Sequence, residues 1–224
     1  MSHFVLVPGL WLDASSWSAV LPHLESAGHT VTPLTLPGNR ETTLPDWVDA
    51  VTEAIDAAPG PVILVGHSAG CGLAYAAADT RPVGIKRLVL IGGFPLPDGM
   101  PLLNAEFPAA EGYVPLPNLS VFSDEDLAGL DDAARAAFRR DAVPVPERVL
   151  AGTIKLRDDR RLQIPVTAIC TEYSATDLQS LAEEGFAPTT ELPRLDVSYV
   201  DLPTGHWPQF SRPSDLAQVL LDTA

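Results

Sequence analysis

The stretch GHSAG at residues 66–70 forms the pattern G-x-S-x-G, which can present a serine hydroxyl as a nucleophile. An apolar run at residues 62–65 precedes it, and a run of small residues at 71–78 follows it. A strand, a sharp turn and a helix are the context in which such a serine projects clear of a sheet, because the glycines let strand and helix approach closely. The pattern therefore predicts that Ser68 is a catalytic nucleophile.

A serine hydroxyl needs a neighbouring base, and His206 is the candidate. It lies in the stretch LPTGHWP at residues 202–208, after the last apolar run, and loops at the carboxyl ends of parallel strands commonly hold such sites. The serine also precedes the histidine in the chain, as it does in enzymes with this type of turn. His67 adjoins Ser68, so its ring should project to another side of the turn, and we interpret it as structural.

Two amide groups are candidates for stabilising a negatively charged oxygen on a substrate. The N–H of Ala69 lies at the start of the predicted helix, where amides point outward. The second N–H should come from the stretch VPGLW at residues 7–11, in which Gly9 allows a sharp turn and Leu10 is the expected donor. Trp11 would then be an apolar substrate contact at the rim of the pocket, or else an ordinary core tryptophan.

The elements that must position these residues alternate between strand-like and helix-like patterns. Short apolar strands separated by helices predict an α/β fold with a mostly parallel sheet covered on both faces. Strands are expected at residues 4–7, 30–36, 62–65, 85–91, 165–170 and 197–202, and helices at residues 17–27, 44–58, 69–79, 177–184 and 214–221.

One long segment interrupts this alternation, since residues 94–162 contain no convincing strand. The segment begins rich in proline and continues with short helix candidates at residues 123–127, which could form a capping box, and at 131–140. We therefore expect a core formed by residues 1–94 and 163–224, with residues 95–162 inserted as a cap over the site. The alternative is an irregular excursion without a gating role.

Composition limits the class of partner. The chain has 224 residues, which suits one domain, and a formal net charge of -15. This acidity disfavours nucleic acid and anionic membrane surfaces, so we expect a small-molecule substrate and neither nucleic acid nor membrane as partners. The composition does not fix the oligomeric state.

The cysteines and histidines predict neither a disulfide framework nor a metal site. Cys71 and Cys170 are interpreted as two small buried thiols, and the five histidines show no metal-binding spacing. The first residues enter a strand without a signal-like pattern, and no apolar run approaches the ~20 residues of a membrane span. We therefore expect a cytoplasmic protein.

Five stretches together carry a resemblance to a known family: PGLW at residues 8–11, SW at 16–17, LPG at 36–38, GHSAG at 66–70 and GH at 205–206. They resemble α/β-hydrolases, and the small capped esterases similar to plant methylesterases and hydroxynitrile lyases in particular. The resemblance implies the α/β-hydrolase fold with an inserted helical cap. It also implies a nucleophilic Ser68, the base His206, an oxyanion hole at Leu10 and Ala69, and no cofactor.

The chain departs from this family pattern at two places. Pro8 stands where the first glycine loop usually opens with histidine, which should alter local hydrogen bonding more than chemistry. Ser174 stands where the acid that orients the histidine belongs. Glu172 has a longer side chain and could reach the imidazole, Asp177 could do so from the next turn, or Ser174 could act with water. Of these we favour Glu172 as the third catalytic residue.

These observations predict a cofactor-free hydrolase that cleaves a carboxylic ester through an acyl-enzyme. Leucine, phenylalanine and proline are frequent in the cap, so the substrate should be small to medium and apolar. One alternative is a carbon–carbon lyase of the hydroxynitrile lyase type, which often places a lysine by the substrate; here only Lys86 and Lys155 occur, and neither lies near a site loop. Another is a weakly catalytic small-molecule receptor or binding protein.

Overall fold

The chain folds around a sheet of six parallel strands, in a computed structural model that describes residues 1–104 and 106–224. In chain order the strands are β1 His3–Val7, β2 Thr30–Pro33, β3 Val62–His67, β4 Ile85–Ile91, β5 Tyr113–Val114, β6 Val145–Pro146, β7 Val166–Cys170 and β8 Val197–Asp201. Among the described strands, all except β5 and β6 belong to the six-stranded sheet, whose spatial order is β2-β1-β3-β4-β7-β8. The expected parallel sheet is confirmed.

Helices cover both faces of this sheet, as expected. In chain order the helices are α1 Leu21–Ser26, α2 Leu44–Ala57, α3 Ala69–Thr80, α4 Asp132–Asp141, α5 Glu147–Leu150, α6 Ala175–Glu183, α7 Pro208–Ser211 and α8 Pro213–Asp222. Leu24 of α1 and Leu216 of α8 pack against one face, and Val51 of α2 and Leu73 of α3 pack against the other.

The strands divide the core into two layers because successive side chains point to opposite faces. In β1, Phe4 and Leu6 pack with α1 and α8, whereas Val5 and Val7 pack with α2 and α3. Both sets are fully buried, which explains why these strands are continuous apolar runs in the sequence.

The strand order reverses between β1 and β3. The chain leaves β1 for β2 on one side and then returns to β3 on the other side of β1. In open sheets of this kind, ligands bind beyond the carboxyl ends of the strands at such a point. The loop after β1 and the turn after β3 meet there, and these are the segments that carry Leu10 and Ser68.

Two helix predictions need correction. The helix expected at residues 17–27 begins only at Leu21, because Pro22 lacks an N–H and is tolerated only in a first helical turn. Residues 123–127 form a turn instead of a helix, although the predicted capping hydrogen bonds are present. The Ser123 N–H donates to Asp126 Oδ2 at 2.8 Å, and the Asp126 N–H donates to Ser123 Oγ at 3.0 Å. A capped segment this short gains too few helical hydrogen bonds to propagate.

The segment between β4 and β7 contains more regular secondary structure than the sequence indicated. The expectation that residues 94–162 contain no strand is wrong, since β5 and β6 pair as a two-stranded antiparallel sheet. Strands of two residues show no periodicity that a sequence pattern can reveal. The second helix expected there is present as α4, with Asp131 as its N-cap. The boundaries 95–162 and the gating role of the cap stay predictions, and Ala105 lies outside the described residues.

A buried ionic cluster fixes the end of this segment to α3. Arg161 contacts Glu191 at 2.9 Å and Asp79 at 3.2 Å, and only 4% of its side chain is exposed. The Tyr75 hydroxyl donates to Glu191 at 2.6 Å. Asp79 also accepts the backbone N–H of Arg157 at 2.9 Å, so its carboxylate is satisfied by several donors. Each buried charge in the cluster is therefore paired, which burial requires.

Within the residues that the structure describes, no helix is long and apolar enough to cross a bilayer. The cytoplasmic location stays a prediction.

Replacing Arg161 with methionine is expected to lower the free energy of unfolding by about 3–5 kcal/mol, because Asp79 would stay buried without a cation and Glu191 would keep only its contact with Arg194. Arg160→Met is the matched control, since Arg160 pairs with Asp158 but leaves 69% of its side chain exposed. The control should change stability by about 1 kcal/mol or less. Urea unfolding of the three proteins measures both effects, and equal losses in the two variants would contradict this interpretation.

Candidate active site

Ser68 occupies a strained turn between β3 and α3. Its backbone has φ 55° and ψ -128°, a conformation that residues with a side chain rarely adopt. Its N–H donates to the carbonyl of Ile91 at 2.8 Å, which ties the turn to the end of β4. A Cβ atom on Gly66 would lie 2.5 Å from the carbonyl oxygen of Gly70, so strand and helix can approach this closely only with glycine there. The expected turn geometry is present.

The loop after β1 packs directly on this turn. A Cβ atom on Gly9 would lie 2.8 Å from His67 Nδ1 and 3.1 Å from the Cβ of Ser68, so only glycine fits without displacement. The next residue, Leu10, lines the same cavity as Ser68. Ala69 lines it as well and is the first residue of α3, so its N–H has no acceptor within the helix.

His206 lies beside the serine, in the loop after β8. Its Nε2 is 2.8 Å from Ser68 Oγ. Its backbone N–H donates to the carbonyl of Asp126 at 2.8 Å, which attaches this loop to the turn at residues 123–127. The structure therefore brings together the two residues on which the sequence argument depends.

Glu172 reaches the other nitrogen of the imidazole. The Nδ1–H of His206 donates to Glu172 Oε1 at 2.7 Å, and the Thr171 hydroxyl donates to Oε2 of the same carboxylate. Burial alone would raise the pKa of Glu172, but the hydrogen bonds and the charge of His206 outweigh it, and the pKa lies below its ordinary value. Glu172 is therefore a carboxylate at neutral pH.

The two alternatives to Glu172 are engaged with each other instead. The Ser174 hydroxyl donates to Asp177 Oδ2 at 2.6 Å, and the Asp177 N–H donates back to Ser174 Oγ at 3.1 Å. Together they form a capping box at the start of α6. Neither side chain is the partner of His206.

His67 supports the site from inside the protein. The ring is fully buried, its Nε2 lies 2.7 Å from the carbonyl oxygen of His206, and its Nδ1 lies 3.3 Å from Nε2 of Gln209. Burial, and then the nearby charge of His206, lower the pKa of His67 to about 3. A neutral ring that donates from Nε2 and accepts at Nδ1 satisfies both neighbours.

A cavity of about 300 Å³ lies in front of Ser68. Trp11 lines it and is 5% exposed, so its side chain is both a wall of the cavity and part of the core, whereas its contact with a substrate stays a prediction. Its Nε1–H donates to the carbonyl of Val114 at 3.2 Å, which fixes the indole. The other apolar walls include Leu10, Phe94, Leu96, Leu102, Leu103, Phe107, Phe122 and Trp207.

Asp126 is a cavity residue that the sequence analysis missed. The side chain lies on the turn at residues 123–127, and one of its carboxylate oxygens is within 4.8 Å of a ring nitrogen of His206 and of a carboxylate oxygen of Glu172. Nothing local to residues 123–127 indicates this proximity, since it depends on how the turn docks on the loop after β8.

These three side chains are the only His, Cys, Asp and Glu grouping in the described part of the chain with ligand atoms close enough to hold a metal ion. Both ring nitrogens of His206 are already in hydrogen bonds, to Ser68 and to Glu172. An ion here would have to displace one of them. The arrangement therefore suits proton transfer better than metal binding.

Comparison with known proteins agrees with this geometry. The model of the alpha/beta hydrolase family matches residues 4–219. The chain belongs to the alpha/beta hydrolase family. The expectation of an α/β-hydrolase is thus confirmed at the level of the family.

Relatives of this α/β-hydrolase include Methylesterase 7 of Arabidopsis thaliana, which is 29% identical over 268 aligned residues that cover 99% of this chain and 95% of that protein. An alpha-hydroxynitrile lyase of the same plant is 38% identical over 106 residues, which cover 43% of this chain and 41% of the lyase. Among solved structures, an extracellular alpha/beta-hydrolase from a Paenibacillus species has a TM-score of 0.80 at 22% identity, over 99% of this chain and 98% of that one.

The stability of this hydrolase is expected to fall as pH drops from about 6.5 towards 3, partly because of His67. The unfolded chain binds a proton on this ring below about pH 6.5, whereas the folded chain does so only near pH 3, so the contribution of His67 is complete above the unfolded pKa and is lost on acidification. In His67→Gln this contribution is absent, and the side-chain amide keeps a donor for the carbonyl of His206. Urea unfolding at several pH values should give slopes that differ by up to about 1.4 kcal/mol per pH unit. Parallel stability curves would exclude this role.

Proposed function

We propose that this α/β-hydrolase cleaves a carboxylic ester of a small-to-medium apolar substrate through an acyl-enzyme on Ser68. The observation that carries the proposal is the continuous chain of hydrogen bonds from Ser68 Oγ to His206 and from His206 to Glu172, with distances of 2.8 and 2.7 Å. It supplies a nucleophile, a base in contact with it and a carboxylate that orients the base.

In the first half of the reaction, His206 Nε2 takes the proton of Ser68 as Oγ attacks the ester carbonyl carbon. The resulting imidazolium is stabilised by the Glu172 carboxylate, which stays ionised. When the tetrahedral intermediate collapses, the bond to the alcohol oxygen breaks and His206 returns the proton to that oxygen. The alcohol leaves, and the acyl group stays bound to Ser68.

In the second half, His206 takes a proton from water while the water oxygen attacks the acyl carbon. Collapse of this intermediate releases the carboxylic acid and returns the proton to Ser68 Oγ. In both halves the N–H groups of Leu10 and Ala69 would bind the negatively charged oxygen. Removal of one such donor typically costs about 10²–10³-fold in kcat.

The apolar walls of the cavity support an apolar substrate, and its volume of about 300 Å³ limits the substrate to small or medium size. The name of the relative Methylesterase 7, which aligns with nearly the whole chain, makes methyl esters a reasonable first set of substrates. The cap would enclose the ester, since Leu102, Phe107 and Phe122 line the cavity from that segment.

The carbon–carbon lyase and the receptor are less favoured than ester hydrolysis. Among the described residues neither Lys86 nor Lys155 lines the cavity. Lys86 instead donates to the carbonyl of Ala224. The receptor was suggested by the serine at position 174, and this argument weakens because Glu172 contacts the imidazole.

Ser68→Ala should lower kcat/KM for the hydrolysis of short p-nitrophenyl esters by roughly 10³-fold or more, because the variant lacks the hydroxyl to which the acyl group would be transferred. The wild type should release a burst of p-nitrophenol and transfer the acyl group to added methanol. A fluorophosphonate probe should label the wild type and the control Ser174→Ala, but not Ser68→Ala. A wild type without turnover and without labelling would exclude the acyl-enzyme.

Glu172→Gln should lower kcat by roughly 10²–10⁴-fold, because a neutral amide cannot stabilise the imidazolium. Two matched variants test the alternatives at the same time, since Asp177→Asn and Ser174→Ala change only the capping box of α6. These two should lower stability modestly and leave kcat within a few-fold of the wild type. A large loss of kcat in Asp177→Asn alone would show that the acid has been assigned to the wrong residue.

A further inference from the structure

The proposed mechanism leaves one charged side chain in the cavity without a role. Asp126 lines the cavity together with Ser68 and His206. Its Oδ2 accepts the N–H of Ser123 at 2.8 Å, which fixes the carboxylate on its turn. One of its oxygens lies within 4.8 Å of both the imidazole and the carboxylate of Glu172. Two carboxylates thus flank His206, although one is enough to orient it.

The lining of the cavity carries no compensating positive side chain. Among the residues that the structure describes, neither lysine nor arginine contributes to it. Asp126 and Glu172 are the only acidic residues among the described residues that line it, in a protein with a formal net charge of -15. An anionic group on the alcohol part of an ester would meet repulsion from these two carboxylates, and no lysine or arginine lines the cavity to offset it.

Two aromatic rings of the cavity lining lead to His206. Phe122 and Trp207 both line it, with ring centroids 5.1 Å apart, and Trp207 also packs edge-on against His206 at 4.9 Å. Carboxylates and aromatic faces are the groups that attract an ammonium ion, including a quaternary one. This end of the cavity is therefore suited to a cation of moderate size.

The position of Asp126 indicates which part of an ester it would contact. His206 must hand a proton to the departing alcohol oxygen, so the alcohol part of the ester lies on the side of the imidazole. A carboxylate beside His206 faces this part more closely than the acyl part, which stays on Ser68.

We propose that Asp126 is a specificity-determining residue, which selects esters whose alcohol part carries an ammonium group and rejects esters whose alcohol part carries a carboxylate. The inference rests on the proposed ester hydrolysis at Ser68. It adds one feature to the proposed substrate: the ester is otherwise apolar, but its alcohol part carries a positive charge.

Three acetate esters of similar length test the inference. Acetylcholine carries a quaternary ammonium group, 3,3-dimethylbutyl acetate is its uncharged isostere, and 3-acetoxypropanoate carries a carboxylate. For the wild type, kcat/KM should be highest for acetylcholine and lowest for the anionic ester. In Asp126→Asn the preference for the cationic over the neutral ester should fall by about tenfold, and the discrimination against the anionic ester should weaken by a similar factor. The side-chain amide of this variant would still offer an oxygen to the Ser123 N–H, so the turn should keep its shape.

Asp124→Asn is the matched control. Asp124 is an exposed acid on the same turn and does not line the cavity, so this variant should keep both ratios of the wild type. Unchanged ratios in Asp126→Asn would overturn the inference. An equal loss for all three esters would also overturn it, since Asp126 would then act on His206 and not on the substrate.

Binding separates this inference from the proposed function. In the Ser68→Ala background, calorimetry should show that choline binds more tightly than 3,3-dimethylbutanol, and Asp126→Asn should remove the difference. If this preference is present while the wild type hydrolyses none of the three esters, ester hydrolysis is refuted and the cation site stands. If the neutral ester is hydrolysed while choline binds no more tightly than 3,3-dimethylbutanol, ester hydrolysis stands and the cation site is refuted.

Discussion

The close contact of backbone segments around Ser68 is the constraint on which the rest of the site depends. The loops after β1 and β4 meet the start of α3 there, and each of these three segments contributes a glycine with no room for a side chain. A Cβ on Gly9 would press on His67, one on Gly70 would lie 2.5 Å from the carbonyl oxygen of Pro8, and one on Gly93 would lie 2.8 Å from Cys71 Sγ. Because these three segments pack so closely, the surrounding backbone holds the serine turn in its strained conformation.

The carboxylate of this site comes from a position two residues earlier than the family pattern suggests. At the usual position, Ser174 begins α6 and shares a capping box with Asp177. The side chain of Glu172 is one methylene group longer than that of an aspartate, which lets it reach His206 from its earlier position. The Thr171 hydroxyl donates to the carboxylate oxygen that does not face His206. The usual position therefore holds a serine, but a carboxylate still contacts the imidazole of His206.

Much of the fold could be predicted from the sequence because its signals are local. Buried strands such as β4 are continuous apolar runs, and the turn at Ser68 is marked by adjacent glycines. Side-chain length was enough to favour Glu172. The position of Asp126 beside His206 had no local signal, because it results from contact between the cap segment and the loop after β8. The two-residue strands β5 and β6 also had no local signal, because each is stabilised by pairing with a segment that is distant in the sequence.

The loop that carries the imidazole also rests on the cap segment. A Cβ on Gly205 would lie 2.5 Å from the carbonyl oxygens of both Asp126 and Ala128, and the N–H of His206 donates to the first of these. The turn at residues 123–127 and the loop that carries His206 are thus packed against each other and joined by a hydrogen bond, so movement of one would displace the other. If that turn lifted to admit a ligand, the loop would lose the backbone hydrogen bond that holds the imidazole beside Ser68. A ligand that enters while Ser68 and His206 stay in hydrogen-bond contact would therefore need a route that leaves this turn in place.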